Sequence, residues 1–354
     1  MNKLSKIIYG LLLAILAIWL IPWTFDFFTY KPETTPFTIY SSVIDDFAMT
    51  EMEEGRGLVR KDLSGRAYEE KEFDSILPLF FVRQLVVDDR FPSSINGRAI
   101  TPKEAKVGNF VFRSTPHQVN KPSSGLNFLL ESFSGRVDLV MPSDVFRFTN
   151  KGIEFIEMNT NSVNKEKSEQ FTEMLLRKGF QFPMQLIDGI ATTRKAYDEG
   201  YLLTDAEGKL FHFKMVVGRP YVRRIELPEG VDLLKIFITE FTSKCSLGFL
   251  IDSAHRFYVL TPNYEVHQVD IPGINPHTEA FTVFGNLFDW TFKISSTDRE
   301  RYYAVDSKNY QLIKKHEILA KNNSFGDRYR SLLMPLRLSF TSGYDKYVYP
   351  RINQ

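Results

Sequence analysis

Leu202-Leu203-Thr204-Asp205-Ala206-Glu207-Gly208-Lys209-Leu210-Phe211-His212-Phe213 and Phe249-Leu250-Ile251-Asp252-Ser253-Ala254-His255-Arg256-Phe257-Tyr258-Val259-Leu260 follow one plan. Each reads as strand, polar turn opened by Asp, strand. A further strand then closes on a proline, at Leu227-Pro228 and at Ile271-Pro272. Asp205 and Asp252 lie 47 residues apart, and Pro228 and Pro272 lie 44 apart. A period of that size is what a four-stranded propeller blade gives.

The plan extends in both directions. Downstream, Trp290-Thr291-Phe292-Lys293-Ile294 leads to Asp298-Arg299, a more charged copy with no closing proline. Upstream, Asp62-Leu63-Ser64-Gly65 is turn chemistry between two short extended runs, and that stretch ends on Leu77-Pro78. Asn150 lies 88 residues after Asp62, twice 44, between the strand-like runs around Phe146 and Phe155. Ser134-Gly135 reads as a tight hairpin between Leu126–Phe133 and Val137–Met141, and Val107–Arg113 alternates around Phe110 and Phe112. Turns near residues 62, 106, 150, 205, 252 and 298 suggest five or six irregular units. The fold expected over residues 37–354 is therefore all-β, an irregular five- or six-bladed β-propeller-like domain. The alternative is two packed β-sandwich domains.

Two segments break the pattern. Phe171, Met174, Leu175 and Lys178 sit at helical spacing before Gly179, so a helical insertion is expected near 164–178. Leu79–Val87 fits a short helix or a buried strand, and Pro92, Asn96-Gly97 and Pro102 make the segment after it loop-like. At the C-terminus, Leu332–Tyr349 reads as a strand confined to an edge by Pro335, placed to complete the first blade and close the ring.

Residues 1–30 set the address. Lys3 and Lys6 precede an uncharged run, residues 7–25, ended by Asp26. Nineteen residues at about 1.5 Å each cover roughly 28 Å, close to a hydrocarbon core. Trp19, Trp23 and Tyr30 lie where an interfacial aromatic belt would form, and the two lysines favour a cytoplasmic N-terminus. A cleaved signal peptide would need a shorter apolar run and a small-residue cleavage site, which this run lacks. No cysteine follows to carry a lipid. The expectation is a cytoplasmic stub and transmembrane anchor over residues 1–30 in the inner (cytoplasmic) membrane. Residues 31–36 form a short Pro-bearing tether, and the C-terminal domain faces the periplasm.

Composition narrows the function classes. The 44 basic and 43 acidic residues nearly cancel, which argues against a nucleic-acid partner. Cys245 is the single cysteine, so no intrachain disulfide forms; its apolar surroundings suit an inert thiol. His255, His267 and His277 are the one combination that a hairpin near Pro262-Asn263 could gather around a metal. No HxH or HxxxH pair supports it, so solvated or core-edge histidines are the simpler reading. No nucleophile elbow, Walker loop, GxGxxG or HExxH occurs. Gly218-Arg219-Pro220 with Arg223-Arg224 could rim an anion site, but a charge-guarded strand edge fits better. Lys314, Lys315 and Lys321 read as a solvated face. Asn322-Asn323-Ser324 matches a glycosylation pattern relevant only in a glycosylating host. Tyr344, Tyr347 and Tyr349 could contribute to a partner surface. No catalytic, cofactor-binding or metal residue is assigned.

The Lys-flanked anchor, Leu77-Pro78, Gln84-Leu85, Phe91-Pro92-Ser93-Ser94-Ile95-Asn96-Gly97 and the Asp-turn repeats together resemble an uncharacterised family of bacterial single-pass, envelope-facing proteins associated with ABC-type export gene clusters. The resemblance brings no catalytic residues. It implies an accessory role beside a transporter permease. The function expected is a membrane-anchored periplasmic binding or scaffold protein. Two alternatives are an enzyme or carbohydrate-binding module with its site at the central channel, and an envelope ligand sensor.

Overall fold

The computed structural model describes residues 3–29, 35–53, 55–133, 135–296, 298–319, 336–340 and 348–352. The apolar N-terminal run forms helix α1 (Lys3–Thr29), with Pro22 inside it. Its segment Lys3–Phe25 is long and apolar enough to cross a membrane. The chain divides into two units. One holds Met1–Thr35 and Leu319–Gln354; the other holds Pro36–Ile318.

The larger unit is a succession of antiparallel meanders. The first sheet is β1 (Phe37–Ser41), β2 (Asp46–Glu53) and β3 (Gly57–Asp62). Short elements follow: α2 (Glu70–Ile76), α3 (Val82–Val87), a miniature hairpin of β4 (Ser94–Ile95) and β5 (Arg98–Ala99), α4 (Pro102–Gly108), β6 (Phe110–Ser114) and α5 (Pro116–Asn120). The second sheet is β7 (Asp144–Phe148), β8 (Ile153–Glu157) and β9 (Ser162–Asn164), which leads into α6 (Lys165–Arg177). The third is β10 (Ile187–Gly189), β11 (Tyr201–Thr204), β12 (Leu210–Val216) and β13 (Arg219–Ile225). The fourth is β14 (Leu233–Ile238), β15 (Gly248–Asp252), β16 (Phe257–Leu260) and β17 (Val266–Gln268). The fifth combines β18 (Ala280–Gly285), β19 (Asp289–Ser295), β20 (Arg299–Asp306) and β21 (Leu312–Leu319) with the much earlier β6, which pairs antiparallel with β18.

The burial of the fourth sheet separates a propeller-like stack from a sandwich. Phe249, Ile251, Phe257 and Val259 face Phe281, Val283, Trp290 and Phe292 of the fifth sheet. Their neighbours Leu250, Tyr258 and Leu260 face Leu202, Leu210 and Ile225 of the third. A sandwich sheet keeps one face in water, whereas this one is covered on both. The third sheet likewise packs its other face, through Leu203, Phe211 and Phe213, on Phe146, Phe155 and Phe171 of β7, β8 and α6. The first sheet joins the fifth through Tyr40, Phe47, Tyr302 and Ala304. Each buried aromatic contributes roughly 1.5–3 kcal/mol. Among the described residues no apolar cluster joins the first sheet to the second, so the stack is open there.

The repeated Asp has a physical task. The Asp252 carboxylate accepts from Arg256 N (2.8 Å), Arg256 Nε (2.6 Å) and the Tyr258 hydroxyl (2.9 Å). Asp62 repeats this spacing with Arg66 N (3.1 Å) and the Tyr68 hydroxyl (2.7 Å). Asp205 accepts from Glu207 N and Lys209 N, both at 2.9 Å. In each case the side chain closes its own turn.

Several expectations are corrected. Asp298 does not repeat this turn: it is exposed and pairs with Arg299, while Asp306 accepts from Lys308 N and Asn309 N. The turn expected near 106 is α4, opened by a capping box of Thr101 and Glu104 with Pro102 in its first turn. Ser134 of the expected Ser134-Gly135 turn lies outside the described residues, and the described residues of 126–141 carry no paired strands. Adjacent Leu129 and Leu130 are both buried, which a one-faced strand forbids, and only isolated bridges tie Asn127 to Phe146 and Glu131 to Met215. The helix near 164–178 is α6, capped by the Asn164 side chain. Within the span expected as a closing strand, Leu332–Tyr349, the described residues form β22 (Leu336–Phe340) and the start of β23 (Val348–Ile352), which pair with each other. Residues 332–335 and 341–347 lie outside the described residues.

Candidate ligand-binding site

A half-enclosed cavity of about 330 Å³ opens where β1, β6 and the β18–β19 hairpin meet the loop after α2. Ile39, Leu77, Phe80, Phe110 and Phe284 make its apolar wall; Ser41, Ser42, Asn109, Asn286 and Asp289 supply the polar groups. Three local devices hold it. The Tyr40 amide donates to Thr291 Oγ1 at 3.0 Å and fixes β1 on β19. The Asn286 carboxamide shapes the hairpin, accepting from Phe288 N (2.8 Å) and Asp289 N (3.0 Å) and donating to Asp289 Oδ1 (3.0 Å). Gly285 leaves room for the Phe110 ring across the ladder.

Asp289 is 2% exposed, and burial pushes its carboxyl up to about 7. Asn286 and Ser42 work against that rise, and the Asp306 carboxylate adds to it. Its Oδ2 makes no hydrogen bond of good geometry, although the Ser42 hydroxyl lies near enough to the carboxyl to favour its charged form. Asn109 donates through Nδ2 to the Leu79 carbonyl, which leaves its Oδ1 also buried and unpaired. Two orphaned acceptors in one apolar cavity wall are costly, about 1–3 kcal/mol each, and mark a place where a donor from outside would be favourable.

A second polar cluster lies between the third and fourth sheets. Lys195 Nζ sits 2.7 Å from both Asp198 and Glu240, all three nearly inaccessible. Glu240 also accepts from Glu199 N, and burial raises its carboxyl while Lys195 opposes the rise. His212 bridges the Glu199 carbonyl (2.6 Å) and the Tyr264 hydroxyl (2.9 Å); burial lowers it to about 4, so it is neutral. This network joins strands and lines no cavity described among these residues.

The three histidines weighed as ligands stand apart. His255 occupies a left-handed turn position (φ 64°), His267 pairs with Glu265, and His277 bonds Asn120. No group of three metal-ligating side chains occurs among the described residues. Arg223 lies over the Tyr264 ring and Arg224 pairs with Glu226 on the edge strand β13, as a guarded edge would. Lys314 pairs with Asp46. Cys245 is half-buried, and burial raises its thiol. Lys321, Asn322-Asn323-Ser324, Tyr344 and Tyr347 lie outside the described residues. In the fifth sheet β6 occupies the edge beside β18. There Phe110 stacks on Phe241 at 4.1 Å and Phe112 meets Phe237 and Phe249.

In the sequence Leu77, Pro78 and Phe110 carry structural readings, and no lining residue carries a binding role. The cavity's one local signal is Asn286-Leu287-Phe288-Asp289, an Asn-to-Asp hairpin between apolar runs.

No curated protein matches the chain. Solved structures match weakly: the fission yeast SREBP–SCAP binding-domain complex at 10% identity and TM-score 0.35, over 92% of this chain and 94% of that one. The Dos1 propeller matches at 12% and 0.29, over 82% and 63%. The β-propeller domain of Myceliophteria thermophila Cps50 (Swd1) matches at 9% and 0.28, over 56% and 57%. The chain thus spans less than two thirds of the latter two, and likenesses at these scores carry no argument. The profile of a domain of unknown function, DUF4857, matches residues 37–305, most of the folded unit, and the chain belongs to that family.

Proposed function

We propose that this is a membrane-anchored binding protein whose folded unit faces the periplasm, takes a ligand in the β1/β6/β18 cavity, and works beside an ABC-type transporter permease. The cavity carries the reading. It is apolar over most of its wall, and among the described residues Asp289 is the single Asp, Glu, Lys, Arg or His lining it. Binding needs no more than that, whereas acid–base chemistry needs a second group placed to receive or return a proton. The apolar helix α1 and the lysines in its first turns support the anchor and its orientation. The resemblance to export-associated single-pass proteins supports the permease.

The test has two arms. Protease added to intact spheroplasts should digest the chain beyond residue 36, and cross-linked membranes should yield a permease with the purified protein. Full protection from protease would overturn the orientation. Recovery of the chain alone after cross-linking would overturn the accessory role.

A further inference from the structure

We propose that the cavity is a site for small primary amines, with the ammonium held between Asp289 and Asn109 and a short hydrocarbon body against Phe80, Phe110 and Phe284. This rests on the reading of the cavity as a ligand site and goes on to name the ligand class.

The wall holds two buried side-chain atoms without a well-formed hydrogen bond, Asp289 Oδ2 and Asn109 Oδ1, and once Asp289 is ionised both are acceptors. A ligand that satisfies both must bring donors, and an ammonium brings three. Among the described residues no Lys, Arg or His lines the cavity, so none of them serves the carboxylate there as a counter-ion. Asp306, paired with Asp289 across β19 and β20, adds further negative charge. An anionic ligand would meet repulsion from two carboxyls, while a neutral alcohol would leave the carboxylate uncompensated. The aromatic rings add attraction for a cation near their faces. At about 330 Å³ the volume is at the small end of ligand pockets, which suits a body of a few carbons.

Binding also moves a proton. Asp289 holds its proton up to about 7 in the empty cavity, with Asp306 and the Tyr40 hydroxyl as its titratable neighbours. The incoming amine is already protonated, so Asp289 releases its proton to solvent as the ion pair forms. Affinity therefore rises about tenfold per pH unit below 7 and levels off above it.

The experiment titrates the full chain in nanodiscs with n-butylamine, n-butanol and butyrate by calorimetry. Butylamine should bind at pH 8, at least tenfold more tightly than butanol, and butyrate should not bind. At pH 6, buffers of different ionisation enthalpy should report roughly one proton released. Asp289→Asn should weaken butylamine at least tenfold and remove its preference over butanol. The preference for amine over alcohol in the unaltered protein decides the matter even if that variant does not fold. Equal binding of amine and alcohol would overturn the amine class and leave the cavity as a binding site. Binding of none of the three probes would overturn the cavity reading itself.

Discussion

A Cβ placed on Gly285 would lie 2.1 Å from Cε1 of the Phe110 ring, its partner across the β6–β18 ladder. The ring cannot retreat, because Phe241 stacks on it and Trp290 meets it edge-on at 5.1 Å. Gly285→Ala should therefore cost about 1–3 kcal/mol through overpacking. Denaturant midpoints measure this. Phe110→Leu in the same chain should recover part of the loss, and fully additive losses would show that the two sites do not touch.

The Asp252 turn should behave as one unit with Tyr258. Burial works to raise the Asp252 carboxyl, but hydrogen bonds from Arg256 and Tyr258 outweigh it and hold the group below its ordinary value. Tyr258→Phe removes a charge-assisted bond and should cost about 1.5–3 kcal/mol. Asp252→Ala should cost more, and the double variant less than the two losses added, by chemical denaturation.

Asp289 should make the fold less stable as pH rises. Folded, it keeps its proton to about 7; unfolded, it loses it near pH 4. Between those values the folded chain holds the extra proton, so stability falls by about 1.4 kcal/mol per unit. Asp289→Asn keeps the acceptor for Asn286 and removes that slope. The difference between variant and parent midpoints should grow in the variant's favour from pH 4 to pH 7 and then stay constant.

His212 should act in the opposite sense. Its folded value near 4 lies below the usual 6.5 of the free side chain. The unfolded chain takes the proton first, so stability is lost as pH falls from about 6.5 to 4. His212→Gln should abolish this acid sensitivity, as shown by melting temperatures across that range.

Lys195→Met should be among the most damaging single changes, about 3–5 kcal/mol, because Asp198 and Glu240 remain buried without their cation. The loss should be smaller at pH 5 than at pH 8, where the carboxyls must stay charged or take up protons at a cost.

The sequence discloses what is local. Asp205 and Asp252 are legible because each side chain bonds amides two to four residues away, inside the window that a turn motif occupies. The length of α6 is legible because Asn164 and Gly179 punctuate it. Asp306 follows the apolar run Tyr302-Tyr303-Ala304-Val305, but the strand after its turn, Leu312–Leu319, alternates with lysines and glutamate instead of repeating the apolar pattern of the other units. The cavity was invisible for a different reason. Asp289 sits between Phe288 and Trp290 like any strand-end residue; its burial follows from β1, whose Tyr40 reaches Thr291 from 251 positions away. No short-range pattern encodes that meeting, nor the insertion of β6 beside β18.

That insertion has a consequence for biogenesis. A chain emerging from its N-terminus presents Phe110–Ser114 long before Ala280–Gly285 exists to receive it. The closure entropy of so long a loop is met only when nearly the whole unit has been made. Until then an apolar ribbon with bare amide and carbonyl groups waits for its mate, a standing invitation to aggregation that a holdase would have to cover.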